Sequence, residues 1–154
     1  MDVPSLPPEM FSPFDDDTIE AAVFDCGGDP VGAAALGQLS ERFALHSAET
    51  EFLYVINPMR PLQGSVAEII DMLRLIENAA RLKVTGLVCN ANIALETEPQ
   101  MIRDGFAMVR SVSEATAIPI RFVSAMREHM ADIADVEAEK YAIELFMRPG
   151  WLDE

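Results

Sequence analysis

The sequence contains few basic residues. Lys and Arg together number 11, against 26 Asp and Glu, which gives a formal net charge of −15 over 154 residues. Lys83 and Lys140 are the only lysines. Proteins bind nucleic acids and anionic membrane surfaces by placing Lys and Arg against phosphate groups, so this composition argues against both kinds of partner. We expect the acidity to keep the protein soluble.

Cysteines and long apolar runs are also scarce. Cys26 and Cys89 each lie at the end of a short apolar run, which favours buried thiols in a reducing compartment over a disulfide framework. Together with the distant His46 and His129, they lack the spacing of a zinc site. No apolar run approaches the roughly 20 residues of a membrane-spanning helix, and the acidic, proline-rich start does not resemble a signal peptide. We therefore predict a cytoplasmic protein without a membrane partner.

Half of the residues are hydrophobic, enough for one domain, 1–154, with a buried core. Short apolar runs alternate with amphipathic helical segments, a pattern that predicts an α/β fold with a mostly parallel sheet and helices on both faces. The predicted strands are 21–26, 52–57, 84–90 and 118–124, with 141–147 as a candidate last strand. The predicted helices are 30–44, 66–81 and 98–115. Residues 1–18 form a lead-in loop with one helical turn near Pro8, and the pattern is weakest over 126–154.

All three of these helices have readable starts. Asp29 is a good N-cap, and Pro30 occupies the first helical position, where its missing N–H is not needed. Ser65 and Glu68 form a capping box at the start of the second helix. At the third, Thr97 and Gln100 form a capping box, and Pro99 lies in the first turn. These local signals support the alternation of strands and helices.

Polar and small residues follow the predicted strands. In a parallel sheet the carboxyl ends of the strands share one edge, where ligands bind. The residues at that edge are an acid, two glycines, three asparagines, a proline and a serine: Asp25, Gly27, Gly28, Asn57, Pro58, Asn90, Asn92 and Ser124. Asn and Gly are also ordinary turn residues, but four such loops in register indicate a site.

Asp25, Gly27 and Gly28 have two readings. In one, Asp25 holds a magnesium ion through water and the glycines let the backbone approach a terminal phosphate. In the other, the glycines supply turn dihedrals and Asp25 caps a neighbouring loop. Asp29, as an N-cap, would occupy the helix end where a phosphate would otherwise bind, so we expect this helix to act as a switch element rather than a phosphate cradle.

A phosphate-binding P-loop is missing from the sequence. That motif needs G-x-x-x-x-G-K-[ST], in which backbone amides surround the phosphates, the lysine reaches their oxygens and the hydroxyl holds magnesium. The nearest match is "GAAALGQL", 32–39, where Gln38 and Leu39 replace the lysine and the hydroxyl, and it lies inside a predicted helix. The sequence therefore has no P-loop of its own.

The motifs resemble the carboxyl-terminal two thirds of ParA/MinD-like P-loop ATPases, in the SIMIBI group with CobQ/CobB-type proteins. The stretches that carry the resemblance span nearly the whole chain in family order: "LPPEMF" (6–11), "VFDCGGDPVGAAALG" (23–37), "VINPMRP" (55–61), "VTGLVCNAN" (84–92), "IPIRFVSAM" (118–126) and "FMRPGW" (146–151). The resemblance implies a P-loop NTPase-like fold whose first βα unit, with the P-loop, would precede Met1. Three explanations for the missing P-loop stay open: the chain is a truncated gene product, a fragment or a degenerate relative of the family.

The resemblance also implies an ATP site with magnesium. Asp25 matches the Walker B acid, and Gly27 and Gly28 match the switch glycines near the γ-phosphate. Asn90 matches the asparagine that reads the adenine base. Asn57 and Pro58 match the loop after the next strand, and Asn92 accompanies Asn90. Without the P-loop we expect no ATP hydrolysis by this chain alone, so whether it is an enzyme stays open.

Two other functions remain as alternatives. One is a non-enzymatic interaction module, a remnant that pairs with a partner chain or forms a homodimer through an exposed sheet edge. The other is an unrelated small hydrolase that uses Asp25, Asp29 and either His46 or His129, for which no nucleophile motif is present.

The missing unit has a consequence for the sheet. In the family the P-loop strand lies beside the Walker B strand, so its absence leaves 21–26 without one neighbour. We expect either that 21–26 pairs directly with 52–56, or that the exposed edge promotes dimerisation. An open slot between these two segments in a monomer would contradict both alternatives.

Overall fold

The computed structural model describes residues 6–146. Their α-helices are α1 (Ser12–Asp15), α2 (Pro30–Gly37), α3 (Ser40–Leu45), α4 (Val66–Ala80) and α5 (Pro99–Thr116). Their strands are β1 (Leu53–Ile56), β2 (Gly86–Cys89), β3 (Ile120–Met126) and β4 (Lys140–Ile143). Short 3₁₀ turns lie at Pro8–Phe11, Ala94–Glu96 and Arg127–His129.

The four strands form one parallel sheet in the order β1-β2-β3-β4. Strands therefore follow one another across the sheet in chain order, with α4 connecting β1 to β2 and α5 connecting β2 to β3. The α/β class with a parallel sheet is confirmed. Within the described residues β1 and β4 are the two edge strands.

The two faces of the sheet differ in how they are covered. Successive side chains of a strand point to opposite faces. Five side chains on one face are buried with α4 and α5 in the hydrophobic core: Tyr54, Ile56, Leu87, Cys89 and Val123. On the opposite face Val88 of the central strand β2 is 3% exposed, whereas Val55 of β1 is 51% exposed and Tyr141 of β4 is 60% exposed. This second face is therefore buried at its centre and open to solvent at the two edge strands.

The predicted strand 21–26 is wrong. These residues have no regular secondary structure, no backbone hydrogen bond to another described residue, and a Val23 side chain that is 95% exposed. Phe24 packs against the rings of Phe14 and Phe43, and Gly27 touches the first turn of α2 at Gly32. The segment is therefore anchored to α1, α2 and α3, and no strand lies beside it to complete a ladder.

The predicted helix 30–44 is two helices, α2 and α3. Gly37 ends α2 in close contact with α4, since a Cβ on Gly37 would lie 2.6 Å from the carbonyl oxygen of Ala79. The Ser40 hydroxyl donates to the Gly37 carbonyl at 2.9 Å, which gives this carbonyl a partner outside the helical ladder. Close packing and a side-chain hydrogen bond thus break the helix after Gly37.

The remaining predicted elements agree with the structure within a few residues. The predicted capping box at Thr97 and Gln100 is wrong, because the N-cap of α5 is Glu98 and no side chain caps this helix. The capping box at α4 is confirmed, because the Ser65 hydroxyl accepts from the Glu68 N–H at 3.3 Å and donates to its carboxylate at 2.9 Å. The candidate last strand is β4, which begins at Lys140. Residues 147–154, and with them most of "FMRPGW", lie outside the described residues, as do 1–5. No helix within 6–146 has the length and hydropathy needed to cross a membrane.

Candidate functional site

Three predicted site asparagines meet at the carboxyl edge of the sheet. The Asn57 amide, after β1, donates to the Asn92 carbonyl at 2.9 Å, and its oxygen accepts from the Asn92 N–H at 3.2 Å. The Asn92 amide donates to the carbonyl and side-chain oxygens of Asn90, both at 3.0 Å. Ser124, in β3, donates its hydroxyl to the Asn90 side-chain oxygen at 3.0 Å. The ends of β1, β2 and β3 are therefore joined by one polar network.

Helix α5 fixes the position of this network. A Cβ on Gly105 would lie 2.4 Å from Cβ of Ala91, so only glycine lets α5 approach the loop between Asn90 and Asn92 this closely. Pro58 is buried near the same glycine, with a ring carbon 3.6 Å from that Cβ position. Pro58 therefore packs against α5 and offers no free surface to a ligand.

One amide of the network is available to a ligand. Asn57 and Asn92 use both ends of their side-chain amides within the protein. Asn90 accepts two hydrogen bonds, but its Nδ2 donates to no described group. Asn90 lines a cavity of about 80 Å³ together with Asn92, Thr97 and the ends of β3 and β4. This NH₂ group can therefore donate to an acceptor on a planar ring at the edge of the sheet.

Asp25, Gly27 and Gly28 lie on a different part of the molecule. The Asp25 carboxylate is exposed and makes no hydrogen bond or ion pair with a described residue, so the reading in which it caps a loop is wrong. No described glycine has a positive φ, so the turn does not need glycine for its dihedrals. Gly27 instead lies against Gly32, where a Cβ would approach Gly27 to 2.8 Å. At Gly28 the space around a Cβ is open, and a ligand can approach its backbone.

Asp29 is the N-cap of α2, as the sequence predicted. Its Oδ1 accepts from the N–H groups of Val31 and Gly32 at 2.8 and 2.9 Å, and Pro30 occupies the first turn. The carboxylate satisfies the donors that would otherwise bind an anion. The start of α2 is therefore occupied by the protein's own acid.

The acidic residues do not form a metal site by themselves. Within residues 6–146 no group of three or more His, Cys, Asp or Glu side chains is placed to hold an ion. Asp25 offers one carboxylate, which suits Mg²⁺ only where phosphate oxygens and water complete its shell. The Asp25 position is compatible with magnesium that arrives with a nucleotide, and not with a resident ion.

A large cavity separates residues 20–28 from β1. Its volume is about 740 Å³, and side chains of α1, α2, α3, β1 and α4 line it, among them Phe14, Leu36, Phe43, Tyr54 and Ile76. The predicted direct pairing of 21–26 with 52–56 is therefore wrong, because no backbone hydrogen bond joins the two segments and both line the same open cavity. Dimerisation through the exposed edge stays a prediction, because the open cavity contradicts it only for a protein that is a monomer in solution, and the structure contains one chain.

Tyr54 gives this cavity an unusual feature. The residue is 5% exposed and its hydroxyl is buried without a hydrogen-bond partner. Burial raises the pKa of the Tyr54 phenol to about 12. A buried hydroxyl without a partner is unfavourable, and it lies in a strand whose neighbour on one side is missing.

The predicted site residues thus fall into two groups. Asn90 and Asn92 line the small cavity, whereas Asp25, Gly27 and Gly28 line the large one, and the two cavities share no lining residue. The aromatic wall formed by Phe14, Phe24 and Phe43 escaped the sequence reasoning. The spacing of these three phenylalanines, which belong to three different elements, shows no periodicity that links them.

Two residues of the hydrolase alternative, Asp25 and His46, line the same large cavity. No hydrogen bond or ion pair joins Asp25 to His46 or His129, and the Asp29 side chain caps α2. Each histidine instead lies near a glutamate, His46 at 3.9 Å from Glu49 and His129 at 3.8 Å from Glu128. The nearby Cys26 is a poor nucleophile, because burial and the Asp25 charge raise the pKa of its thiol.

Comparison of the chain with models of protein families, with curated proteins and with solved structures finds no match. The geometry of the two cavities is therefore the basis of the functional argument. The small cavity offers one free amide at the carboxyl edge of a parallel sheet. The large cavity offers an exposed carboxylate and an open glycine backbone.

Proposed function

We propose that this chain is an ATP-binding domain of the ParA/MinD-like P-loop ATPase type that lacks a P-loop and does not hydrolyse ATP on its own. The carrying observation is the convergence of Asn57, Asn90, Asn92 and Ser124 at the carboxyl edge of an all-parallel sheet, with the Asn90 NH₂ left free. Ligands of open α/β sheets bind at this edge.

Asn90 is the residue proposed to contact the adenine base. Its Nδ2 would donate to an acceptor nitrogen of the adenine ring, while its oxygen stays fixed by Asn92 and Ser124. The cavity of about 80 Å³ is far smaller than the roughly 300–1,000 Å³ of enclosed ligand pockets. We therefore expect the base to be partly exposed and its binding to be weak.

On the phosphate side, Asp25 and Gly28 are the proposed contributors. Asp25 would hold magnesium through water together with phosphate oxygens, and the open backbone at Gly28 would lie near the terminal phosphate. The helix α2 does not hold a phosphate, because Asp29 occupies its N-terminal donors. Within residues 6–146 no lysine or arginine lines the cavity beside Asp25 and Gly28, so we expect too little charge stabilisation of phosphoryl transfer for turnover.

The large cavity supports the family assignment. The resemblance implies one further strand beside 21–26, inside the sheet. The cavity of about 740 Å³ lies beside 21–26 and against the edge strand β1. An empty space at this point agrees with a ParA/MinD-like sheet from which one strand is missing.

Calorimetry with Mg-ATP on the full chain tests the proposal. We expect a Kd of about 1 mM, or about −4 kcal/mol, because most phosphate contacts are missing. Asn90→Asp keeps the acceptor for Asn92 and Ser124 but removes the NH₂ donor, and we expect it to weaken binding about 10-fold. Asn78→Asp is the matched control, since Asn78 is exposed on α4.

The phosphate side has its own variant pair. Asp25→Ala should abolish the gain in affinity that magnesium gives, whereas Asp17→Ala, an exposed acid of the lead-in segment, should leave it unchanged. If no binding is detected at an Mg-ATP concentration 10-fold above the expected Kd, the proposal is overturned. Binding that Asn90→Asp and Asn78→Asp weaken equally would also contradict it, because the free amide would then have no special role.

A further inference from the structure

The outer edge of β1 carries unpaired backbone groups. The Phe52 and Ile56 carbonyls accept from Thr85 and Asn90, on the side of β2. Backbone groups alternate along a strand, so the N–H and C=O groups of Leu53 and Val55 point the other way, away from β2. Both residues line the large cavity. Beyond them, the Asn57 N–H is bonded to the Gln63 side chain at 2.9 Å, which ends the free edge.

The opposite wall of the cavity is unpaired as well. Within the described residues, no backbone hydrogen bond involves the N–H or C=O groups of residues 20–28. This segment has no regular secondary structure and is rich in apolar residues, and Val23 is 95% exposed. Two stretches of backbone without protein hydrogen-bond partners therefore line the same cavity.

We propose that this cavity binds one extended, apolar segment of a different polypeptide, which adds a strand between β1 and residues 20–28. Strand addition uses main-chain hydrogen bonds for affinity and alternate side chains for specificity. The floor of the cavity is apolar, with Leu36, Phe43 and Ile76 from three helices, and it suits the inward-facing side chains of a strand of about five residues. This proposal does not depend on ATP binding.

The packing of the described residues favours a separate segment over a second copy of the protein. One segment in this cavity would lie beside both β1 and residues 20–28, because both line it. In a second copy the strands β1–β4 belong to its own sheet. Its residues 20–28 are held to its own α1, α2 and α3 through Phe24 and Gly27.

The charge of the rim indicates the chemistry of the partner. Glu20, Asp25, Glu49 and Glu51 line the cavity, and among the described residues only Glu51 of these four forms an ion pair with an arginine, Arg121. Arg and Lys residues on either side of the apolar strand would complement these carboxylates. We therefore expect a short run of β-branched residues, such as Val and Ile, with Arg or Lys on either side.

Hydrogen exchange of the full chain, measured with and without the synthetic peptide RRVIVIVRR and without nucleotide, tests the proposal. We expect the amides of Leu53 and Val55, and several within 21–26, to exchange at least about 10-fold more slowly when the peptide is bound. The amide of Asn90, already bonded to Ile56, serves as an internal control. The amide of Ala142 lies on the outer edge of β4, and its protection would show that the peptide adds to the wrong edge of the sheet.

A second peptide separates strand addition from charge attraction. The same sequence with N-methyl groups on alternate residues keeps its side chains and charge but loses one row of hydrogen-bond donors. We expect this peptide to give no protection. The proposal is overturned if both peptides protect equally, if Ala142 is protected instead of Val55, or if saturating peptide protects nothing.

Hydrogen exchange and sedimentation of the chain without peptide provide the last control. Protection of Leu53 and Val55 that appears with protein concentration, together with a dimer in sedimentation, would show that a second copy fills the cavity. That result would contradict the proposed partner. Because no nucleotide is present, failure of this experiment leaves the ATP proposal to its own calorimetric test.

Discussion

Residues 20–28 and the strand β2 have similar sequences but opposite environments. Both combine a short apolar run with a cysteine and polar residues at its end. Every residue of β2 is buried, and Leu87, Val88 and Cys89 are paired on both sides, whereas 20–28 is largely exposed and unpaired. The difference lies in their neighbours, because β2 has a strand on each side and 20–28 faces a cavity.

This comparison shows that an apolar run becomes a strand only where another strand is present. Strand propensity mainly reflects fit to a half-buried, paired surface. Residues 20–28 have the composition of a strand but lack the partner strand. The large cavity is the site of the proposed strand addition, and it is also lined by Asp25 and Gly28, the phosphate-side residues of the ATP proposal.

The largest expected difference between the two regions is in thiol reactivity. Burial raises the pKa of Cys89 to about 11, and the residue is fully buried, so alkylation requires local opening of the sheet. Cys26 is only partly buried, although burial and the Asp25 charge raise the pKa of its thiol. We expect iodoacetamide to modify Cys26 at least about 100-fold faster, as measured by mass spectrometry of peptides. Equal rates would contradict the comparison.

Truncation of an apolar side chain should also separate the regions. Leu87 in β2 is fully buried, and Leu87→Ala should lower the free energy of unfolding by about 3 kcal/mol. Val23→Ala, at a side chain that is 95% exposed, should change it by less than about 0.5 kcal/mol. Urea denaturation followed by circular dichroism measures both. A large loss for Val23→Ala would mean that 21–26 is packed in solution.

The glycines give a sharper version of the same contrast. Gly105→Ala would force a Cβ to 2.4 Å from Ala91, and we expect a loss of about 2 kcal/mol. Gly28→Ala meets no atom within 4 Å and needs no positive φ, so it should be nearly neutral. Thermal unfolding of the two variants checks this. The Gly105 variant should also weaken Mg-ATP binding, because α5 positions the loop that follows Asn90.

The smallest predicted effect concerns the cavity wall itself. Tyr54→Phe removes a buried hydroxyl without a partner and should raise the free energy of unfolding by about 1 kcal/mol. The usual pKa of a tyrosine is 10.0, and burial raises that of Tyr54 to about 12. Between pH 10 and 12 the unfolded chain therefore ionises this tyrosine while the folded protein does not, so the free energy of unfolding falls as the pH rises through this range.

Unfolding of wild type and Tyr54→Phe in urea between pH 8 and 12 measures this effect. The decline above pH 10 should be weaker in the variant. A variant that is less stable than the wild type at pH 8 would show that the hydroxyl has a partner in solution.

The sequence predicted those parts of the fold that depend on local signals. The helix α4 begins where its capping box places it, at Ser65 and Glu68. The convergence of Asn57, Asn90 and Asn92 followed from parallel strands alone. Their mutual hydrogen bonds, which leave only Asn90 with a free donor, depend on how α5 packs at Gly105 and were not visible in the sequence.

The sequence failed where distant residues decide the structure. The break after Gly37 depends on contact with Ala79, more than 40 residues away. The absence of a strand at 21–26 depends on what lies between it and β1. The periodicity of a segment carries no information about either feature, because strand pairing and helix packing depend on residues far away in the sequence.

Hydrogen exchange of the free chain, resolved by residue, tests the central claim most directly. The account predicts that the amides of Leu53, Val55 and 21–26 exchange close to the rate of an unfolded peptide. The amides of Leu87 and Asn90, bonded at 2.9 Å to Pro119 and Ile56, should be strongly protected. Strong protection of 21–26 together with Val55 in a monomer would show that the two segments are paired and that no open cavity exists between them.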